Sequence, residues 1–365
     1  MKLLLLAGEE SGLLYARGIA ARARDAFPGI EIRTYADYGF ETHDLAVMGF
    51  FAVLRKIFFF LRVKRTMERA IDDWRPDVVC TVDYPGLNLK LDAYAKRRGI
   101  FALHVVCPQV WAWRPGRIPK IERALNALCC FFPFEPSLFR PGLATFVGHP
   151  LVEAFATSSC ARPARSRASV ALLPGSRAGE IARLLPTLLD AAKGLQADFV
   201  IPAANERAYA QIDAILKARG DAAAVRLQLG GARSLLLSAD CAVVASGTAT
   251  LEAALANCPT VLVYRVGAIQ GFLLRHLIKG VRHVGLANII WEKCGAQGGE
   301  APMTELLQED FTAAHVRACL EAFLNDPAAR TAATERLKKT CALLSGAGDP
   351  LSRVVALFPK EGAAR

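Results

Sequence analysis

Two short turns in the C-terminal half of the sequence hold the residue types that can grip a diphosphate. In VALLPGSRAGEIARLL, an apolar run from Val170 to Leu173 breaks at Pro174-Gly175-Ser176 and resumes as an amphipathic helix near Ala178. The free N–H groups that open a helix make an anion site. Gly175 lets backbone approach a ligand closely, and Arg177 adds a bidentate donor that is always charged. An ordinary turn with a capping Ser176 and a solvated Arg177 fits the same residues. The construction recurs in ADCAVVASGTATLEAALANCPTVLVY, where Ala242 to Ala245 runs through Ser246-Gly247-Thr248 into a helix ending near Ala256. With Thr248 as N-cap, a capping box needs its acid at Leu251. The acid is instead Glu252, one place late, where it can accept hydrogen bonds from the paired hydroxyls of a ribose. A solvated glutamate that favours the helix dipole is the alternative.

The N-terminal half offers acid–base chemistry. Asp83 follows the apolar run Val78 to Val82 in the stretch DYPGLN, at a strand's carboxyl end, where open α/β sheets gather ligands. A carboxylate there can take a proton from an attacking hydroxyl, and it can equally cap the next helix. Trp111 and Trp113 adjoin a basic run of Arg114, Arg117, Lys120 and Arg123. The two indoles fit either a sugar or acyl site or plain packing, and His149 fits either a cleft residue or a structural one. Several machineries are absent: no P-loop, no G-x-G-x-x-G after a strand, and no G-x-S-x-G elbow. The Asp-x-Asp metal clamp is missing too, so the sequence implies no metal or cofactor. A leaving diphosphate is then stabilised by arginine and helix N-termini.

The elements that must position these residues alternate in βαβ fashion. Buried strands are expected at Leu3 to Ala7, Val78 to Val82, Ala102 to Val106, Ala127 to Phe132, Val170 to Leu173, Phe199 to Pro202, Ala242 to Ala245 and Thr260 to Tyr264, with helices between them. The basic, polar stretch from Thr157 to Ser169 reads as a linker. The expectation is therefore an α/β protein of two facing Rossmann-like domains, 1–160 and 166–345. Residues 346–365 form a C-terminal segment that packs back on the first domain. With 365 residues, 53% hydrophobic and 22% charged, the chain is globular, and a net charge of +11 favours an anionic partner. No nucleic-acid-binding motif accompanies that charge. Ten cysteines without a Cys-x-x-Cys pair read as reduced core thiols.

Residues 47–65, VMGFFAVLRKIFFFLRVKR, stand apart. The 15-residue apolar stretch from Val47 to Leu61 contains Arg55 and Lys56 and is too short to span a bilayer. As a helix it gathers Phe51, Leu54, Phe58 and Leu61 on one side, while Phe60 and its neighbours spread round a second stripe. That is the pattern of a helix lying in a lipid interface. A core helix of the first domain is the competing reading.

These motifs together resemble the lipid-A-disaccharide synthase family, glycosyltransferases of GT-B architecture. The resemblance runs in matching order over nearly the whole chain: AGEESG at 7–12, VDYPGLNLKL at 82–91, PQVWAWRPGRIPKI at 108–121, FPFE at 132–135, VGHPL at 147–151, LLPGSRAGEI at 172–181 and ASGTATLEAAL at 245–255. Tyr264-Arg265, Leu286-Ala287-Asn288 and ELLQ at 305–308 extend it. It implies transfer of a diacylglucosamine from its UDP donor to the 6-hydroxyl of diacylglucosamine 1-phosphate, with inversion, giving a β-1,6-linked disaccharide and UDP. On that reading Gly175, Ser176 and Arg177 hold the diphosphate, and Ser246, Gly247, Thr248 and Glu252 hold the rest of UDP. Asn288 lies near the donor, Gly8, Glu9 and Ser11 belong to the opening substrate loop, and Asp83 is the general base. The resemblance also implies a cytoplasmic protein bound peripherally to the inner membrane of a Gram-negative-type bacterium. The chain departs from the family pattern at Leu13, where an aspartate is usual, and at Ala287, where a proline is usual. Rival readings are another sugar-nucleotide transferase or epimerase of the same architecture, and an inactive UDP-sugar binder at the membrane.

Overall fold

The computed structural model describes residues 1–41, 57–156, 166–221, 223–266, 282–295 and 299–359. The chain divides into two units, Met1–Pro150 with Leu344–Arg365, and Leu151–Leu343.

Unit 1 contains a parallel sheet of β1 (Lys2–Ala7), β2 (Glu31–Arg33), β3 (Val78–Val82), β4 (Phe101–Val105), β5 (Ala127–Cys130) and β6 (Ala144–Phe146), in the order β2-β1-β3-β4-β5-β6. Along β1, Leu3 and Leu5 enter one core and Leu4 and Leu6 the other, so helices cover both faces of the sheet. That is why the inner strands read as unbroken apolar runs. The helices that matter for the site are α1 (Glu10–Ala26), α2 (Ile57–Trp74), α3 (Asn88–Arg97) and α4 (Ile118–Ala124), and α5 (Pro150–Ala156) begins at the edge of this unit.

Unit 2 repeats the plan with β7 (Ala168–Leu173), β8 (Ala197–Ala203), β9 (Val225–Leu229), β10 (Cys241–Ala245), β11 (Thr260–Tyr264) and β12 (Thr304–Leu307), in the order β12-β11-β10-β7-β8-β9. Its helices include α6 (Ala178–Ala192), α7 (Glu206–Arg219), α8 (Ala232–Ser238), α9 (Thr248–Leu255), α10 (Leu286–Lys293), α11 (Ala313–Asn325) and α12 (Pro327–Ala342). The last helix, α13 (Pro350–Val355), belongs to unit 1: Asp349 caps it and pairs with Arg22 of α1, while Leu351, Val354 and Phe358 enter the unit 1 core.

The eight strands expected from sequence are the eight interior strands, and the four not foreseen, β2, β6, β9 and β12, are the four sheet edges. The stretch assigned to a linker ends earlier than Ser169, because β7 begins at Ala168 and Ser169 is buried within it.

Candidate functional site

Each sheet has one place where the strand order reverses. In unit 1 the chain leaves β1 for β2 on one side and returns to β3 on the other, so the switch lies between β1 and β3, paired from Leu3↔Val78 to Ala7↔Val82. In unit 2 it lies between β7 and β10, paired from Cys241↔Val170 to Val244↔Leu173. Ligands of open α/β sheets bind outside the carboxyl ends of the strands at such a point. The turns leaving these four strands contain Gly8 and Glu9, Asp83, Gly175 to Arg177, and Ser246 to Thr248.

In unit 1, Asp83 and Tyr84 both adopt left-handed backbone, φ 52° and 53°. For residues with a side chain this costs about 1–2 kcal/mol each, so the surroundings must impose it. Asn88, fully buried at the start of α3, does so: its amide donates to the Asp83 carbonyl at 2.7 Å and the Val82 carbonyl at 3.3 Å, and its oxygen accepts from the Tyr35 hydroxyl at 2.8 Å. The Asp83 amide donates to the Val105 carbonyl at 2.8 Å, and one Asp83 carboxylate oxygen accepts from the Tyr84 amide at 2.8 Å. The half-buried carboxylate therefore leaves the turn at a set angle. Gly8 serves the same turn, since a Cβ there would meet the Tyr84 ring at 2.5 Å. Burial, reinforced by the Glu9 carboxylate, pushes the Tyr84 hydroxyl up to about 12. Ser11 lies in the first turn of α1, and its side chain is outside the described residues.

In unit 2, Gly175 has φ +100°, and a Cβ there would meet the Glu180 carboxylate at 2.6 Å. Glycine is thus required by the turn itself. Arg177 is the N-cap of α6, and no side chain caps the amides that open the helix. Its exposed guanidinium reaches the Glu180 carboxylate at 2.7 Å. Such a surface pair is worth about 0–1 kcal/mol, small beside the attraction of a doubly charged diphosphate. Tyr264, at the end of β11, senses the same cluster. Burial raises its hydroxyl, Glu180 adds to the rise, and Arg177 and Arg183 oppose it.

The second turn corrects the expected cap. Gly247 is the N-cap of α9 and Thr248 the first helical residue, with no side-chain cap. Gly247 and Thr248 are exposed and Ser246 half-buried. Glu252 is half-buried with no ion-pair or hydrogen-bond partner for its side chain among the described residues; burial raises its carboxyl, against the lowering influence of Arg233.

Asn288 does not behave as expected of a donor contact. It is fully buried, donates to the Met303 carbonyl at 2.9 Å and the Glu305 carboxylate at 2.8 Å, and accepts from the Met303 amide at 2.9 Å. With both ends of its amide engaged, Asn288 is an internal strut between α10 and β12. Glu305 also accepts from the Val284 and Gly285 amides that lead into α10. Ala287 is buried within that helix, and Leu13 packs on the unit 1 core.

The greasy segment separates by face. Phe51 and Leu54 lie outside the described residues. In α2, Phe58 is 82% and Leu61 43% exposed. Phe60 is the correction: it packs on the inner core beside Phe59 at 5.5 Å and Tyr84 at 6.3 Å, because Val63, Met67 and Ile71 turn that stripe inward. No helix among the described residues is long and apolar enough to cross a membrane.

Two other first-unit candidates, Trp111 and His149, are buried and packed within the unit. The Trp111 indole N–H donates to the buried Glu135 carboxylate at 3.0 Å, while Trp113 is partly exposed beneath the Arg114 guanidinium. His149 is buried against Phe131 and Phe132, and burial lowers its imidazole to about 4. Sequence reasoning missed the close grouping of Cys107, Cys130 and Glu135, whose ligand atoms lie within 4.8 Å of one another. Burial pushes the Glu135 carboxyl up to about 8. Spacing in the chain gave no sign of it. Asn88, Glu180 and Tyr264 were also missed as members of the site, although all three stand in the quoted motifs.

A family model described as lipid-A-disaccharide synthetase matches residues 3–343. The chain is 35% identical over 358 residues to a lipid-A-disaccharide synthase of Syntrophus aciditrophicus, covering 92% of this chain and 91% of that one. It is 36% identical over 372 residues to the like-named protein of Anaeromyxobacter dehalogenans, covering 96% and 95%. Among solved structures it is similar to MurG of Acinetobacter baumannii, with TM-score 0.59, 16% identity and 98% of each chain covered, a likeness of fold alone.

Proposed function

This chain belongs to the lipid-A-disaccharide synthetase family, and from that premise we propose how it works. It is a hexosyltransferase of GT-B fold that forms the lipid A disaccharide. The observation that carries this conclusion is the family match along residues 3–343. The reaction joins UDP-2,3-diacylglucosamine to 2,3-diacylglucosamine 1-phosphate.

In our reading Asp83 removes the proton of the acceptor's 6-hydroxyl as that oxygen attacks the anomeric carbon of the donor. The bond from that carbon to the diphosphate breaks with inversion, and UDP leaves. Charge developing on the diphosphate is met by the amides that open α6 and by Arg177, released from Glu180. Helix N-termini and guanidinium groups stabilise such charge best when fixed in advance. Glu252, with no side-chain partner of its own among the described residues, accepts from the ribose hydroxyls beside Ser246, Gly247 and Thr248. The left-handed turn at Asp83, held by Asn88, supports the base assignment because it aims one carboxylate from a rigid mount.

Exposed Phe58 and Leu61 support a peripheral seat on an anionic membrane, on the cytoplasmic face of the inner membrane where both substrates' acyl chains lie. The F58S/L61S double variant is expected to lose binding to anionic vesicles, and unchanged binding overturns that seat. The activity itself is tested by incubating the protein with UDP-diacylglucosamine, with and without the 1-phosphate acceptor. Acceptor-dependent disaccharide is expected. A sugar epimerised at a ring carbon and formed without acceptor would make the protein an epimerase, and donor binding without any product would make it a binder.

A further inference from the structure

A cavity of about 480 Å³ lies wholly within unit 1, in the notch between α2, α3 and α4. Six cations line it: Lys64 of α2, Lys90 and Arg97 of α3, Arg117 just before α4, and Lys120 and Arg123 of α4. A single carboxylate, Glu68, shares the lining and pairs with Lys64 at 2.6 Å. The other five cations have no carboxylate partner among the described residues. Like charges repel at this spacing, so the fold holds together a concentration of positive charge that its own acids do not neutralise.

The rest of the lining states what kind of anion fits. Leu89, Ala93, Ile121 and Ala124 give the notch an apolar floor. Pro85 and Gly86 form part of its wall, and these are the residues that follow Asp83 and Tyr84 in the turn held by Asn88. On α2, Leu61 precedes Lys64 by three residues and Glu68 by seven, so exposed Leu61 shares their face, about 4.5 Å along the axis from Lys64. The cavity thus shares its wall with the residues that follow Asp83, and exposed Leu61 stands about one helical turn from its Lys64.

The geometry points to this cavity as the seat of a phosphate monoester on an acylated molecule, namely the 1-phosphate of the acceptor. This rests on the functional reading above and extends it: the phosphate is gripped by Lys90, Lys120 and Arg123, the acyl chains run toward Leu61, and the sugar hydroxyl is left at Asp83. An anionic membrane headgroup presents the same phosphate chemistry, so the test must separate the two.

The test uses the full-length protein in neutral detergent micelles and titrates in diacylglucosamine 1-phosphate or its dephosphorylated analogue, reading binding calorimetrically. Wild type is expected to prefer the phosphorylated form. K120Q and R123Q each weaken its binding roughly tenfold, the scale of one hydrogen bond to a charged group, without changing affinity for the analogue or for UDP. K120R restores most of the loss. Both altered side chains are exposed, so melting temperatures stay close to wild type. Equal loss for both ligands overturns the assignment. So does an unchanged preference in micelles combined with weakened binding to phosphatidylglycerol vesicles, which hands the cavity to membrane headgroups. Because binding and not turnover is measured, a protein that formed no disaccharide would overturn the functional reading while the cavity was still judged on its own.

Discussion

At the switch point of unit 1, Asp83 and Tyr84 hold left-handed backbone that buried Asn88 and Tyr35 tie down through hydrogen bonds of 2.7 and 2.8 Å. At the switch point of unit 2, Ser176, Arg177, Gly247 and Thr248 are exposed, the residues that begin α6 and α9 make no side-chain cap, as is also true of α1 and α3, and among the described residues the Arg177 guanidinium pairs with the Glu180 carboxylate. The two switch points thus differ in that a buried side chain, Asn88, ties down the turn at Asp83, while the exposed residues of the unit 2 turns stand open to solvent. A group that transfers a proton needs a fixed direction, and the strained, tied-down turn at Asp83 suits the general-base role proposed for it. A group that receives an anion needs unsatisfied donors, and the open turns of unit 2 suit the diphosphate-binding role proposed for them.

Four substitutions break or sharpen that contrast. Asp83→Asn keeps the accepting oxygen for the Tyr84 amide and removes the base, so kcat is expected to fall about 10²- to 10⁴-fold with donor affinity unchanged. Near-normal turnover in a kinetic assay removes Asp83 from the chemistry. Arg177→Ala is expected to cost about 10²- to 10³-fold in rate. Wild-type kinetics would leave Arg177 as a solvated partner of Glu180. Asn88→Leu strands the Tyr35 hydroxyl and frees the turn, destabilising unit 1 by about 1–3 kcal/mol. Urea unfolding reads the stability, and kcat should fall without a change in donor KM. A matching rise in donor KM would show that the turns of the two units are not specialised as described.

The smallest effect concerns pH. Burial raises the Glu252 carboxyl, so it protonates earlier than an ordinary glutamate as pH falls. In the proposed role its charged form accepts from the ribose, so donor KM should rise as pH drops toward the upper edge of the usual carboxylate range. Glu252→Gln should flatten that dependence, and a profile that is unchanged by the substitution removes Glu252 from the donor site.

How much of this was legible depended on position in the sheet. Interior strands such as β3 and β10 are buried on both faces, so VVCTV and CAVVA read directly as strands. Edge strands carry mixed surfaces, as in the exposed and half-buried residues of Glu31–Arg33, and give no continuous apolar signal. The turn at Gly175 and Arg177 was legible from glycine and arginine after a strand, because turn chemistry is local. Asn88 and Glu180 looked like ordinary helix residues, since their meaning depends on partners brought near only by folding. Asn288 is a further case: a polar residue in a family motif has its amide engaged by Met303 and Glu305 inside the unit, which no short window of sequence announces.

The family resemblance added the turn at Gly8 and Glu9; from its residues alone the chain set out two α/β halves, three turns that could bear chemistry, and an amphipathic stretch with Phe51, Leu54, Phe58 and Leu61 on one side. Those features follow from period, turn chemistry and side-chain type, which act over a few residues. Tertiary structure alone decided that the four turns lie in pairs at the two reversals of strand order. It alone turned Phe60 inward and collected six distant cations around one notch. Strand order and helix packing are set by burying apolar faces contributed from the whole unit, and no short window of sequence contains that sum.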